Sequence, residues 1–191
     1  MKLFTIYCLL LLFSLKGWTQ IGYKPKSIEI LANSELSITG DTNINKFGCY
    51  FNTFYLEPSK DILYQKNAKN INFKNAVLTL KNKSFDCGNK AINKDFHSLL
   101  NTEEYPKITL EVTEISLEKI NQGKACVVIT IAGIEHTYVV PVTIVNGPIN
   151  RFSGKLNLDI RDFGLKPPKK LLGLIIIKEE IEINFNLAAV L

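Results

Sequence analysis

The chain has 191 residues, which is enough for one domain or at most two small ones. Its formal net charge of +5 comes from scattered lysines, without an arginine-rich stripe or an aromatic RNA-binding motif, so a nucleic-acid partner is not expected. After the first twenty residues, no apolar segment reaches the length of a membrane span, and we expect no stable membrane span.

The N-terminal segment has the pattern of an export signal. Lys2 precedes an apolar run from Leu3 to Leu15, which is too short to cross a bilayer and is typical of a secretory signal peptide. We predict a signal peptide over residues 1–20, with an uncleaved membrane anchor as the alternative. Its removal takes away Lys2 and Lys16 and lowers the net charge from +5 to +3.

The remaining sequence is dominated by strand patterns. Early strands are predicted at about 27–39, 46–56 and 70–81. One segment, 89–101, has its apolar residues at helical spacing and is predicted as a helix capped by Asn89 or Asn93. A second short helical turn is predicted within 169–173.

Three later segments alternate between apolar and polar residues, which is the pattern of strands with one wet and one dry face. They lie at 107–117, 151–160 and 180–187. The first changes phase, which predicts a bulge near Glu114. Between them, segments 125–134 and 136–145 are apolar on both faces, which predicts a central hairpin that is covered on both sides and joined around Ile134 to His136.

Seven to nine strands in hairpin succession with one helix predict a single all-β domain over residues 21–191, folded as a closed antiparallel barrel of about eight strands. Such a barrel either holds one small ligand or fills its interior with its own side chains, and the pattern leaves both alternatives open. Alternation does not fix the parity of Val140 and Val142. The predicted ligand-lining residues are Ile108, Leu110, Val112, Val140, Val142, Leu156, Leu158, Ile181, Ile183 and Phe185.

The loop at 162–173 combines stiff prolines with lysines and apolar residues. We predict that it borders the barrel opening and contacts the head group of an amphiphile, and the alternative is a cap on the barrel end. Its candidate contact residues are Phe163, Leu165, Lys166, Lys169, Lys170 and Leu171.

Candidates for catalysis are few. His97 and His136 stand far apart in the sequence, and neither a Cys-His pair nor a nucleophile elbow occurs. The chain is therefore predicted not to be an enzyme and to carry no metal or cofactor, although a hydrolase or isomerase acting on a lipid stays a third interpretation. Cys126 lies in an apolar strand and is predicted to be a small buried residue.

Three ordered runs of sequence resemble the YceI-like family of exported bacterial proteins. They are LLNTEEYPKITLEV, VVITIAGIEHTYVVPV and FSGKLNLDIRDFGLKPPKKLLGLIIIKEEIEINFNL. The resemblance covers about residues 26–188 and is greatest to a subgroup with Phe-x-Cys and Cys-Gly-Asn motifs, represented here by Phe47 to Cys49 and Cys87 to Asn89.

The resemblance implies a lipocalin-like barrel with a helix over it and a periplasmic or secreted location. It also implies an apolar cavity that binds an isoprenoid lipid or a quinone, and a disulfide between Cys49 and Cys87. The alternative is a filled-barrel structural or interaction protein whose outer surface binds a partner. Oligomeric state stays open, with a homodimer among the alternatives.

Overall fold

In the part of the chain that the structure describes, the fold is an antiparallel β-barrel with one α-helix. A computed structural model describes residues 22–57, 59–168, 174 and 176–190. The strands are β1 Lys24–Ile30, β2 Glu35–Thr42, β3 Lys46–Phe51, β4 Ser59–Lys66, β5 Asn70–Lys74, β6 Val77–Lys81, β7 Phe85–Asp86, β8 Lys107–Lys119, β9 Gln122–Ile131, β10 Ile134–Val145, β11 Asn150–Asp159 and β12 Ile177–Val190. The α-helix is α1 Lys90–Leu99, and three short 3-10 turns lie at Thr53–Tyr55, Asn82–Ser84 and Ile160–Phe163.

Eight of the strands close into a ring. The order is β1-β4-β5-β8-β9-β10-β11-β12, and β12 returns to β1 through the pairs Glu29 with Val190 and Ile30 with Ala189. Strands β2, β3 and β7 extend from the first part of β12, and β6 pairs with the first part of β8. The predicted closed, lipocalin-like barrel of about eight strands with one helix is confirmed.

The predicted bulge in β8 is present. The pairing register with β9 shifts between Val112 and Glu114. Ile108, before the shift, and Ile115, after it, are both buried although they differ in parity. The extra residue therefore lets one strand keep its apolar residues inside while the barrel wall bends.

The central hairpin differs from the prediction in two ways. Its turn is Ala132-Gly133, with φ of 48° and 79°, so His136 lies within β10 and not in the turn. Only one face of β10 is covered, because Val139 is 63% exposed on the outer face. Val140 and Val142 are buried, so the side chains whose parity the alternation left open lie on the inner face. Branched apolar side chains favour strands on either face, so they do not by themselves indicate burial.

Gly133 has two reasons to be glycine. The two-residue turn requires positive φ at both positions, a conformation that side chains disfavour. A Cβ atom there would also come within 2.7 Å of Cε1 in the ring of Tyr105. The turn between β9 and β10 therefore packs directly on the loop that follows α1.

The early strands were predicted too long. The segment 27–39 is divided into β1 and β2 by a turn, and 70–81 is divided into β5 and β6 at Asn75, which has φ of 62°. The segment 46–56 ends as a strand at Phe51 and continues as a 3-10 turn. Strand β4 was missed. The turn predicted at 169–173 lies outside the described residues.

Helix α1 forms where its apolar spacing predicts it. Asn89 caps it by accepting a hydrogen bond from the Ile92 amide at 2.9 Å. Asn93 lies in the first turns, where its Oδ1 accepts from the Cys87 amide and its Nδ2 donates to Asp86. These bonds fix the chain that leads from β7 into the helix.

Of the three cysteines in the described chain, two form a disulfide and one is a free thiol. Cys49 in β3 and Cys87 before α1 form a disulfide, as the resemblance implied. Cys126 is a free thiol and is partly exposed on the outer face of β9, opposite Val139. The prediction that it is buried is wrong, because its neighbours Ala125 and Val127 take the inward positions.

Removing the disulfide should destabilise the chain. The bridge joins residues 38 positions apart. In the chain-entropy model such a loop contributes about 3 to 4 kcal/mol to the free energy of unfolding. We expect Cys49→Ala/Cys87→Ala to lose about that amount in urea unfolding, with Cys126→Ala as the single-thiol control. A linked Cys49–Cys87 peptide should appear in a non-reduced digest, and a bridge to Cys126 would contradict the assignment.

Candidate functional site

An apolar cavity of about 60 Å³ lies inside the barrel, beneath α1. Its lining comes from strands β2, β3, β6, β8, β9 and β12, from the helix and from the segment after β11. Among the described residues of the lining, the one with a charged group is Lys178, and every other side chain is aliphatic, aromatic or the half-cystine Cys49. An apolar chain is the ligand that such a surface can accept.

The ten residues predicted to line a ligand all belong to the buried core or pack against it. Four of them border the cavity: Ile108, Leu110, Ile181 and Ile183. The other six lie in the core away from it: Val112, Val140, Val142, Leu156, Leu158 and Phe185. The cavity thus occupies one end of the barrel interior and does not extend along its whole length.

Several lining residues were not named from the sequence. Leu36 and Ile38 alternate with polar residues in β2, so their pattern could have identified them. Phe96, Leu99 and Leu100 come from α1 and its C-cap, and the helical spacing marked them as one apolar face. Nothing in the sequence indicates that this face closes a cavity, because that depends on where the helix docks.

The loop after β11 turns inward at its start. Phe163 ends the 3-10 turn, is 1% exposed, and packs its ring 5.2 Å from that of His136 and 6.3 Å from that of Tyr138. Gly164 follows with φ of 67°, and Leu165 is buried and lines the cavity. The buried side chains of Phe163 and Leu165 therefore fill the end of the barrel interior near His136 and the cavity.

Of the three lysines predicted for this loop, the described residues include one. Lys166 is exposed. Lys169, Lys170 and Leu171 lie outside the described residues. The predicted contacts of this loop with a head group accordingly stay a prediction.

A different pair of lysines stands beside the cavity. Lys178 Nζ lies 3.5 Å from Oδ2 of Asp41, and Lys46 Nζ lies 3.6 Å from Oδ1 of the same carboxylate. Both ammonium groups are largely exposed, so they stand at the rim while the stem of Lys178 contributes to the lining. Among the described residues, the rim thus carries two cations and one carboxylate.

The rim also exposes apolar side chains. Asn43, in the turn between β2 and β3, accepts from the Ile176 amide and donates to the carbonyl oxygen of Leu174. These bonds dock the turn on the segment that enters β12. Ile44, Leu174 and Ile176 are all exposed there.

The polar groups nearby form a structural cluster. Tyr138 donates a hydrogen bond to Asp162 at 3.2 Å. Arg161 pairs with Asp159, which lowers the pKa of that carboxyl. Within the described ranges, no group of histidine, cysteine and carboxylate side chains is arranged to hold a metal ion, and no helix is long and apolar enough to cross a membrane.

The pKa of Tyr138 predicts a pH dependence. Burial, followed by the hydrogen bond and the charge of Asp162, raises it from 10.0 to about 12. The folded state therefore holds this proton more tightly than the unfolded state, and the resulting stabilisation is present below pH 10 and is lost as the pH rises from about 10 to about 12. Ultraviolet titration of tyrosinate should show the late-ionising group disappear in Tyr138→Phe.

A second variant separates the causes of this shift. Asp162→Asn removes the charged acceptor, so the late midpoint should move to lower pH while remaining above 10, since burial persists. An alkaline titration curve identical in wild type and Tyr138→Phe would contradict the assignment.

Comparison with known proteins gives the chain a family. A model of the YceI-like domain matches residues 25–189. Among solved structures, BcnA of Burkholderia cenocepacia has 22% identity and a TM-score of 0.65, over 82% of this chain and 96% of that one. A polyisoprenoid-binding domain from Saccharophagus degradans, implicated in plant cell wall breakdown, has 11% identity and a TM-score of 0.62, over 85% and 97% of the two chains.

A YceI protein of Campylobacter jejuni is similar over a smaller part, with 19% identity and a TM-score of 0.53 over 61% of this chain and 71% of that one. No curated protein matches significantly. At these identities the likenesses establish the shared barrel fold. Because the family model covers nearly all of the barrel, from β1 to β12, the chain belongs to the YceI-like domain family.

Proposed function

We propose that the chain is an exported binding protein that holds an apolar or amphiphilic ligand, an isoprenoid lipid or a quinone, inside the barrel. The observation that carries the proposal is the cavity beneath α1, whose described lining residues are apolar except for Lys178. Each buried methylene contributes about 0.8 kcal/mol, so a long hydrocarbon chain needs no polar contact inside the barrel to be held. The polyisoprenoid-binding relative of the same fold supports this ligand class.

The proposal assigns binding and no catalysis. Tyr138 bonds to Asp162 and Arg161 to Asp159, and none of these four lines the cavity, where Lys178 is the one charged residue among those described.

Export is part of the proposal. The predicted signal peptide at 1–20 lies outside the described residues. The disulfide between Cys49 and Cys87 supports an oxidising compartment such as the periplasm or the cell exterior. Edman sequencing of the protein recovered from its native host should begin near residue 21.

A filled-barrel interaction protein without cargo is the second candidate, and a specific observation favours it. The cavity of about 60 Å³ is smaller than the cavity of about 150 Å³ that accommodates one benzene molecule. A barrel that stays in this conformation has no room for an isoprenoid. The two candidates therefore differ in whether the interior enlarges.

The deciding experiment is solvent extraction of protein purified from its native host, followed by mass spectrometry of the extract. Recovery of an isoprenoid or quinone near one molecule per chain supports the carrier. Absence of lipid, together with failure to take up added geranylgeraniol or ubiquinone, would contradict the carrier function and favour a filled-barrel interaction protein without cargo.

The rim lysines predict a preference among amphiphiles. Replacement of Lys178 by glutamine should weaken binding of geranylgeranyl phosphate up to about fivefold, because an exposed charge pair contributes about 0 to 1 kcal/mol. Binding of the neutral geranylgeraniol should not change. Lys26→Gln, which alters an exposed lysine on β1, is the control. Equal loss for both ligands would mean that Lys178 acts through packing of its stem.

A further inference from the structure

The small size of the cavity requires some part of the barrel to move before a long chain can be held. Its volume of about 60 Å³ is less than half that of a cavity of about 150 Å³ that accommodates one benzene molecule. Most neighbouring strands of the ring are held by ladders of several residue pairs, the longest being β9 with β10 and β11 with β12, whereas β1 and β12 pair at two positions away from the cavity. Separating strands held by the longer ladders would break several backbone hydrogen bonds at once.

Among the described residues, the wall around the cavity contains one place without a ladder. Strand β6 pairs with β8 on one side, and β3 pairs with β2 on one side. Across the gap between β6 and β3, the described pairing is limited to β7, which meets β3 at Tyr50 and Phe51. The part of β3 that contains Phe47 and Gly48 has no strand partner among the described residues on that side.

Helix α1 lines the same cavity as Leu80 of β6 and Phe47 of β3, the two strands that flank this gap, and we infer that it lies over the gap. Phe96 and Leu99 face the cavity, as does the C-cap residue Leu100. The helix is held in the wall by side-chain packing, including the contact of Phe96 with Phe85 at 5.2 Å between ring centroids. No residue of α1 is fully buried, so its displacement exposes less apolar surface than displacement of a core strand.

Both ends of the helix are tethered. At its start, the disulfide ties Cys87 to Cys49, which itself lines the cavity. Beyond its end, the buried Asn82 donates from Nδ2 to Thr102 Oγ1 at 3.2 Å and to the carbonyl oxygen of Tyr105 at 2.8 Å. A helix tethered at both ends can move outward and return, but it cannot leave the barrel.

We propose that α1 is the gate of the ligand site: it moves outward between β6 and β3 to admit an apolar chain, and the Cys49–Cys87 disulfide limits how far it opens. The inference rests on the proposed function, because a barrel without cargo needs no gate. It assigns the disulfide a role in ligand exchange besides its contribution to stability.

The test measures the position of α1 with and without ligand. Spin labels are attached in a Cys126→Ser background at Lys94→Cys on α1 and Asn157→Cys on β11, two exposed positions. A reference pair at Lys119→Cys and Asn157→Cys spans two strands, β8 and β11. Geranylgeraniol is the ligand, and its binding is followed separately by displacement of the fluorophore N-phenyl-1-naphthylamine.

We expect geranylgeraniol to lengthen the helix-to-strand distance by several ångströms and to leave the strand-to-strand distance unchanged. Binding without a change in the helix distance, or with an equal change in both pairs, would overturn the gate while the carrier function stands. Failure of geranylgeraniol to bind would overturn the carrier function and the gate with it.

Kinetics test the role of the disulfide. Cys49→Ser/Cys87→Ser should raise both the association and the dissociation rate of geranylgeraniol, each by about tenfold or more, with a smaller change in Kd, as expected for a barrier to exchange. Phe96→Ala, which loosens the helix and keeps the disulfide, should act in the same direction. Circular dichroism establishes that each variant is folded. Unchanged rates in both folded variants would exclude a tethered gate.

Discussion

Replacement of Phe163 by alanine should lower the free energy of unfolding by about 3 to 5 kcal/mol, the usual cost of truncating a fully buried phenylalanine. Phe163 is 1% exposed and is among the largest fully buried side chains of the described chain. Its ring packs against His136 and Tyr138. Because Gly164 reverses the chain just behind it, neighbouring side chains are poorly placed to refill the space.

Chemical unfolding in urea measures this effect. The matched control is Phe54→Ala, since Phe54 is 83% exposed and its truncation should change the free energy by less than about 0.5 kcal/mol. A loss below about 1 kcal/mol for Phe163→Ala would mean that the barrel end closes without this residue. That outcome would support the role predicted from the composition of the loop, which is to border the barrel opening.

Period-two alternation predicted the parts of the fold that have one wet and one dry face. In β11, Leu156 and Leu158 point inward while Lys155 and Asn157 are exposed, as the pattern requires. The bulge in β8 was also visible, because an alternating strand that changes phase needs an extra residue to keep its apolar side chains on one face. These inferences succeed because burial on one face is a local property of the strand.

Alternation failed where both faces are apolar or where the pattern is weak. The sequence around Val139 in β10 does not indicate that this residue is exposed to solvent, because branched residues favour a strand on either face. Strand β4 was missed because Ile62 is its single fully buried residue. The closure of β12 on β1 joins the two ends of the domain, and no local pattern specifies so distant a pairing.

The sequence predicted which residues face the barrel interior, but it did not predict where in the interior the cavity lies. The sequence identified inward residues along the whole barrel, but the cavity is bordered only by those at one end, near Leu110 and Ile181. Its location depends on how side chains from six strands and a helix fill a shared volume. Small differences in volume at lining residues such as Phe96 or Leu165 decide whether space remains, and these depend on tertiary packing.

The filled barrel and the carrier can be one molecule in two conformations. The closed form buries the apolar lining in the absence of ligand, and an outward movement of α1 exchanges side-chain contacts for contacts with the chain. A ligand shifts this equilibrium only through its greater affinity for the open form. The small cavity therefore lowers the apparent affinity without excluding cargo.

Introducing an amide into the cavity wall should reduce ligand affinity strongly. Leu110 lines the cavity from β8 and is not fully buried. With a chain bound, the amide of Leu110→Asn would lie in an apolar contact without a partner, at a cost of roughly 1 to 3 kcal/mol. We expect the Kd for geranylgeraniol to rise by about 5-fold to 140-fold, since every 1.4 kcal/mol corresponds to a factor of ten.

The control for this variant lies two residues along the same strand. Val112 has the same parity and a similar partial burial, and it packs in the core without bordering the cavity. Val112→Asn should therefore cost comparable stability but leave the Kd of the folded protein nearly unchanged. Circular dichroism and urea unfolding fix the folded fraction of each variant, and fluorophore displacement gives the Kd. If both variants weaken binding equally, the ligand occupies more of the interior than the cavity beneath α1, and if neither does, it binds outside the barrel.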